Sequence, residues 1–452
     1  MLLVENSFLK KHMKQIFEGK YNQSDALAIV SLYPKKGETY STGISGIASF
    51  AKNTASNLSR KTIVFAQYER HLNETYEEDN VFVNRCFKKQ SPFMWIQIIK
   101  RLFKFKQVKN ILIQFDFALY GGIFTTSLII PFLAFLMFSG YKVTIVSHSV
   151  VTDVSGLAGH LGIKDNLLGR IKGFMLNKAF RLFYFFIGLF SHTIIVTENA
   201  LKEKLSRYIS PQKLIAIPHG VDTTLKPINK ERARKLLGIK KGYQVVLLFG
   251  FINWFKGSDF FVDVFKNTSV IAGKKTVFLL AGGPSATLKK QKYYQDFLFD
   301  LKNKVGSSKN IKITGFIPQE KISQYFSSAD LVVFPYRYFM CASGVLSLVF
   351  SYKKPFILSK NLAQMFSSQE LQEILGKESL KSKDIIFNLN PVLFRKTTKT
   401  VLQDGAKEKL ANISSSFRTQ RSWQKTALLF ERVIFSTSFS PSRLQILRLK
   451  KI

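Results

Sequence analysis

Short apolar runs rich in β-branched residues recur along the chain at intervals that a helix can fill. In the first half they cover residues 27–32, 62–66, 111–115, 143–146, 193–196 and 214–217. A second series covers 245–249, 276–280, 311–314, 331–334, 356–358 and 385–387. Helix-length segments separate most of them, and that alternation predicts parallel βαβ units. Two doubly wound α/β domains in series are expected, each with its ligand-binding edge at the carboxyl ends of the strands. The break between them is placed after Asp222, where Lys226-Pro227 interrupts the chain ahead of a helix over 230–237.

Three stretches need a separate decision. The uncharged window 117–141 has the length of a membrane span, yet Gly121, Gly122, Thr125, Thr126, Ser127 and Pro131 dilute it. It also falls where a crossover helix must join two strands, so it is read as a buried helix of the first domain. Residues 93–106 set Trp95, Ile96, Ile99 and Phe103 beside Lys100, Arg101 and Lys104, and 164–190 mixes Phe174, Phe183 and Phe186 with Arg170, Lys178 and Arg181. Either suits a membrane interface, with the apolar side toward acyl chains and the basic side toward anionic headgroups. The other reading is a helix packed on its own sheet. The interfacial reading is placed first on 93–106, with Trp95 as its apolar anchor. The first twenty residues scatter Lys10, Lys11, Lys14 and Lys20 among apolar positions, the pattern of a short amphipathic helix and not of a signal peptide.

Charge changes the picture more than composition does. The 452 residues carry 67 Lys+Arg against 29 Asp+Glu, a net +38. Such a field draws polyanions, so anionic lipid, phosphorylated substrates and nucleic acid all enter as partners; a generally lysine-rich surface gives the same total. No recognisable nucleic-acid module accompanies the basic residues, which sets that class aside. Cys86 and Cys341 stand far apart, which argues against a disulfide framework and fits a reducing compartment.

The chemistry lies in an ordered set of turns. Pro218-His219-Gly220-Val221-Asp222 is followed by Phe249-Gly250-Phe251-Ile252-Asn253-Trp254-Phe255-Lys256-Gly257, by Ala281-Gly282-Gly283-Pro284, and by Thr314-Gly315-Phe316-Ile317-Pro318. Phe334-Pro335-Tyr336-Arg337 then runs into Ala342-Ser343-Gly344-Val345. A Ser-Gly pair at a helix start offers unblocked N–H groups and the positive helix end to a phosphate. In this order the segments resemble the nucleotide-sugar half of family-4 retaining glycosyltransferases. Further likenesses are the glycine loop 43–48, His148 at a strand end, and Ser422-Trp423-Gln424 ahead of the last helix.

The resemblance implies a GT-B fold, with two Rossmann-like domains about a cleft. The domains are placed at 25–222 on the acceptor side and 223–421 on the nucleotide-sugar side. An N-terminal extension over 1–24 precedes them, and a returning helix with a basic tail fills 422–452. It implies metal-independent, retaining transfer of a hexose from a nucleotide-diphosphate sugar to a glycan or lipid-linked acceptor, with no cofactor. The protein would sit in the cytoplasm, peripheral on the inner membrane face. Lys256 takes the role of the cation on the donor phosphates and His148 that of the histidine near the sugar. Gly46, Asn253, Gly257, Gly282, Gly283, Phe316, Ile317, Arg337, Ser343, Gly344 and Val345 complete the donor contacts that the resemblance implies. Arg337 enters because the arginine that often precedes the Lys-Gly pair is replaced here by Phe251 and Asn253. The two family glutamates align with Met340 and Leu348. Their loss supports an alternative, a GT-B protein without catalysis that acts as a binding or regulatory partner of a related transferase.

Overall fold

The computed structural model describes residues 15–40, 46–69, 74–157, 161, 163, 165–285, 288–306, 308–366, 369–403 and 405–436. Most of the N-terminal extension, residues 43–45 of the glycine loop and the basic tail therefore lie outside the described residues. The chain forms two compact units. The first holds the chain up to Val150, Ala179–Pro218 and the chain from Trp423; the second holds Val151–Lys178 and His219–Ser422.

The first unit is built on eight strands: β1 (Leu27–Val30), β2 (Thr62–Gln67), β3 (Thr75–Glu78), β4 (Val81–Phe87), β5 (Asn110–Phe115), β6 (Lys142–Ser147), β7 (Thr193–Val196) and β8 (Leu214–Ala216). Their order is β3-β4-β2-β1-β5-β6-β7-β8, parallel except for β3. The strands are buried over nearly their whole length, as expected where helices cover both faces of a parallel sheet. The order reverses direction between β1 and β5, which makes that edge the switch point.

The helices relevant below are α1 (Gly46–Asn57), α2 (Met94–Leu102), α3 (Ile129–Phe138), α4 (Leu167–Phe190), α5 (Ser258–Phe265), α6 (Gly344–Ser351) and α7 (Trp423–Phe435). Helix α7 closes the core of the first unit. Trp423 and Phe430 meet Phe50 of α1 edge-on, at 5.0 and 6.1 Å between ring centres.

The second unit has β9 (Gln244–Phe249), β10 (Val270–Ile271), β11 (Lys274–Ala281), β12 (Ile311–Ile313), β13 (Leu331–Phe334), β14 (Phe356–Ser359) and β15 (Ile386–Phe387). Its parallel strands run β12-β11-β9-β13-β14-β15, with the short β10 antiparallel to β11. This is the dinucleotide-fold order, and its switch point lies between β9 and β13.

All twelve expected strands form. The β3–β4 hairpin was not among them, because Asn84 and Arg85 interrupt the apolar run of β4. Both are fully buried. Asp79 and Asn80, each at positive φ, make the tight turn that joins the two strands. The Arg85 guanidinium donates to the carbonyls of Gln67 and Pro34 and to the Tyr76 hydroxyl, so a buried charge organises the ends of β2 and the loop after β1.

The window 117–141 folds as a crossover between β5 and β6. It contains a short helix, Ile123–Ser127, and α3, which buries Ile129, Phe132, Leu133 and Leu136. Trp95 as the apolar anchor of the interfacial reading of 93–106 is corrected, although Phe93, Ile96 and Phe103 of that stretch stay exposed. Trp95 is only 4% exposed, its Nε1 donates to the Thr125 carbonyl at 2.9 Å, and its ring packs on Tyr120 and Phe132. An indole held inside its own unit cannot anchor a lipid surface. Trp95→Ala should cost about 3–5 kcal/mol of the first unit's unfolding free energy, measured by denaturant titration, through lost packing and an orphaned carbonyl.

Candidate functional site

Loops leaving β9, β11 and β13 are held together by backbone contacts that leave no room for side chains. Gly250 N–H donates to the Ala281 carbonyl and Ile252 N–H to that of Gly283, both at 2.9 Å, so the first two loops continue as a narrow ladder past the sheet. A Cβ on Gly282 would fall 1.9 Å from the Gly250 carbonyl oxygen, and one on Gly283 would fall 2.9 Å from the Phe316 nitrogen. Gly257 has φ +72°, and a Cβ there would lie 2.1 Å from the Pro335 carbonyl oxygen. These glycines permit close approach of one loop to another, a sharper reason than turn formation alone.

Lys256 ends a short 3-10 turn, Trp254–Lys256, and folds back under the β9 loop. A Cβ on Gly250 would sit 2.9 Å from its Nζ and 3.1 Å from Val345 Cγ2, which places the ammonium between the β9 turn and the start of α6. Burial drives its pKa down from 10.5 to about 8, against a small opposing influence from Cys341. Among the described residues no carboxylate pairs with it; the Tyr336 ring lies 5.9 Å away. Asn253 is buried, and its side-chain oxygen has no hydrogen-bond partner among the described residues.

Ser343 caps α6 through its hydroxyl, which accepts from the Leu346 amide at 3.3 Å. The amides of Gly344 and Val345 head the helix, where no carbonyl of the same helix reaches them. Gly344 is exposed and Val345 partly so. His219 stands next to this helix end, with Nε2 3.8 Å from where a Gly344 Cβ would be and Nδ1 2.7 Å from the Gly220 carbonyl oxygen. Burial is the main cause of its fall from 6.5 to about 4, so it is neutral at ordinary pH. The Pro218–Asp222 junction signalled this segment, but His219 itself was not among the expected site residues.

Phe316 is partly exposed in the loop after β12, with Phe251 6.4 Å away between ring centres, while Ile317 is buried beneath. Arg337 departs from the role expected of it. Its guanidinium holds Asp259 of α5 in a two-pronged ion pair at 2.6 and 2.8 Å, donates to the Trp254 carbonyl and stacks on the Trp254 ring. Its charge is therefore balanced locally, and it braces the Lys256 turn instead of presenting a free cation. Met340 is partly buried, and Leu348 lies on the buried side of α6.

In the first unit, His148 follows β6 and is 8% exposed. Its Nε2 lies 2.6 Å from Gln114 Oε1 of β5, and its ring meets Phe50 of α1 edge-on at 4.7 Å. Gly46 is the exposed first residue of α1. Both belong to the carboxyl edge of that sheet, where strand order switches. Among the described residues no cluster of three or more His, Cys, Asp or Glu side chains could hold a metal ion.

Residues 229–363 match the family model "Glycosyl transferases group 1". The matched stretch lies within the second unit and runs from the segment before β9 to the loop after β14. No curated protein matches the chain at the level of sequence. Solved structures match along nearly its whole length. Sucrose-phosphate synthase from Thermosynechococcus elongatus is 14% identical at a TM-score of 0.65, covering 90% of this chain and 98% of its own. HepE of Anabaena, solved with UDP and glucose, is 14% identical at 0.62, covering 91% and 99%. WaaG, a glycosyltransferase involved in lipopolysaccharide biosynthesis, is 12% identical at 0.60, covering 91% and 100%. At these identities the likeness is one of fold, and that fold is GT-B.

The depressed pKa of Lys256 gives two effects of opposite sign. Between about pH 8 and 10.5 the unfolded chain holds a proton that the folded chain lacks, so this lysine's contribution to stability improves as pH rises through that window. Anion binding beside it should weaken over the same rise. The stability gap between the wild type and Lys256→Met, followed by denaturant unfolding across this range, should narrow with pH. Nucleoside-diphosphate affinity, followed by calorimetry, should fall.

Proposed function

We propose that the protein is a retaining, metal-independent hexosyltransferase that takes its donor as a nucleotide-diphosphate sugar. The observation that carries this reading is Lys256: a desolvated ammonium without a carboxylate partner among the described residues, set between the Gly250 turn and the head of α6 at the switch point of a dinucleotide-type sheet. A buried cation with no counter-ion is costly unless a ligand supplies the anion. A diphosphate fits, because its leaving oxygens gain charge as the bond to the sugar breaks. Lys256 and the Gly344 and Val345 amides would meet that charge. The acceptor hydroxyl oxygen forms the new bond to the sugar, and its proton departs with the diphosphate.

Phe316 and Phe251 give the base an aromatic shelf. Asn253 and Ser343 supply polar contacts, and Gly257, Gly282 and Gly283 hold the loops at the required approach. His148 and Gly46 are assigned to the sugar and acceptor side. HepE has been solved with UDP-glucose, which supports a nucleotide sugar as the donor class. WaaG's involvement in lipopolysaccharide biosynthesis supports a glycan or lipid-linked acceptor. With such an acceptor the enzyme is read as cytoplasmic and peripheral on an anionic membrane face.

A second reading, a GT-B protein that binds without catalysis, draws on the neutralised Arg337 and on Met340 and Leu348 where the family has glutamates. Donor hydrolysis over a panel of nucleotide sugars separates the two. Transferase activity predicts turnover with at least one donor, and a purely binding protein predicts none. Lys256→Ala should weaken binding of the preferred donor by about 1.5–3 kcal/mol, the range for a hydrogen bond to a charged group. Equal affinity in the two proteins would remove Lys256 from the site.

Without the glutamate that aligns with Leu348, ribo- and deoxyribonucleotides should bind within a few-fold of each other, as measured by competition. Strong preference for the ribonucleotide would reveal another acceptor for the ribose.

A further inference from the structure

Helix α4 joins the two units: residues up to Lys178 group with the second and those from Ala179 with the first. Its inward side is packed most closely over its last turns, where Tyr184, Ile187 and Gly188 are buried. Asn177 accepts from the Val154 amide at 2.9 Å, Tyr184 stacks on Tyr208, and Gly188 lies so close to Ile209 that a Cβ would meet it at 3.0 Å. The opposite side carries Leu167, Ile171, Phe174, Met175, Leu182, Phe185 and Leu189 in one stripe at helical spacing, roughly 100° wide. Phe174 is 61% exposed, Leu182 58% and Phe185 53%. An apolar stripe of this length on a free surface signals a partner.

Charge says which partner. Arg170, Lys172, Lys178 and Arg181 are exposed on the same helix, and its 24 residues contain no Asp or Glu. Arg170 and Arg181 flank the stripe on one side and Lys172 on the other. Lys178 lies within it, with its ammonium 4.6 Å from the Phe174 ring centre. An acid nearby is Asp165, in a loose exposed contact with Arg170. At the end of α4, Leu189 and Phe190 share a shallow cavity of about 360 Å³ with Met137, Lys142 and Lys213. Phe138 next to it is 80% exposed.

By length and composition alone α4 could cross a membrane. Lys178 and Arg181 near its middle, Arg170 and Lys172 in its first turns, and an inner face packed around Tyr184, Ile187 and Gly188 argue instead for a helix lying in the plane of the interface.

We propose that the outer face of α4 is the surface on which this protein docks to an anionic lipid bilayer, with the Leu167–Leu189 stripe among the acyl chains and the flanking Arg and Lys at the headgroups. This rests on the membrane-face reading given above and assigns its surface to α4 in place of residues 93–106.

The test is sedimentation of the full chain with vesicles of phosphatidylcholine alone or with about a third phosphatidylglycerol. Binding is expected to require the anionic lipid and to fall with salt, since headgroup attraction is screened. Phe174→Glu/Leu182→Glu/Phe185→Glu should reduce it at least about tenfold, and Arg170→Gln/Lys172→Gln/Arg181→Gln about tenfold or more. Both variants change exposed side chains, so thermal melts and nucleoside-diphosphate affinity in the absence of vesicles should match the wild type.

Undiminished vesicle binding by the glutamate variant would overturn the assignment, as would absence of wild-type binding to anionic vesicles. Protein that only detergent releases would make α4 a span, and a dimer abolished by the glutamate variant would make the occupant a second copy. Nucleotide affinity without vesicles reports separately on the transferase reading, so loss of one result leaves the other standing.

Discussion

The second unit's candidate site depends on backbone packed against backbone. Where β9, β11 and β13 end, their loops approach so closely that Gly282 lies against the Gly250 carbonyl and Gly257 against that of Pro335. No other residue type allows these distances, and at Gly257 the left-handed conformation adds a second reason. Once the loops are locked, the 3-10 turn that carries Lys256 has one direction to take. Arg337 fixes it further by tying the Trp254 carbonyl to Asp259. The cation is therefore placed by steric necessity and by an ion pair outside the pocket, not by a counter-ion within it.

What was legible in the sequence follows from this. Parallel strands buried on both faces need continuous apolar runs, and every such run became a strand. The glycines of the three loops were visible as motifs because close approach demands that residue at a fixed place. Hairpin β3–β4 was hidden because its buried polar residues, Asn84 and Arg85, break the apolar signal, and only tertiary carbonyls explain why an arginine is stable there. Arg337 was visible as a cation, but no sequence rule says which acid it will find. His219 lay inside a recognised junction, while its nearness to α6 is a product of chain folding across more than a hundred residues.

The two basic-aromatic helices show a different limit. Residues 93–106 and 164–190 have the same kinds of side chain, so composition cannot rank them. The difference lies in their surroundings. Helix α2 finds Thr125, Tyr120 and Phe132 within reach of Trp95 and turns its most apolar ring inward. Helix α4 is long enough to satisfy its inner face with small and aromatic contacts and still leave a full stripe outside. The stretch first assigned to the interface puts its proposed anchor in the core and leaves only Phe93, Ile96 and Phe103 outside, while the one first assigned to packing keeps a full apolar stripe open.

The desolvated state of Lys256 has a consequence for how the pocket exchanges with solvent. Burial lowers the pKa of Lys256 to about 8, which brings the neutral amine within reach at mildly alkaline pH. An anion that settles beside it restores the ammonium, so each capture draws a fraction of a proton from the buffer and each release returns it. On the proposed reading of this site, ligand exchange is then a proton exchange as well, and the heat of binding should vary with the ionisation enthalpy of the buffer.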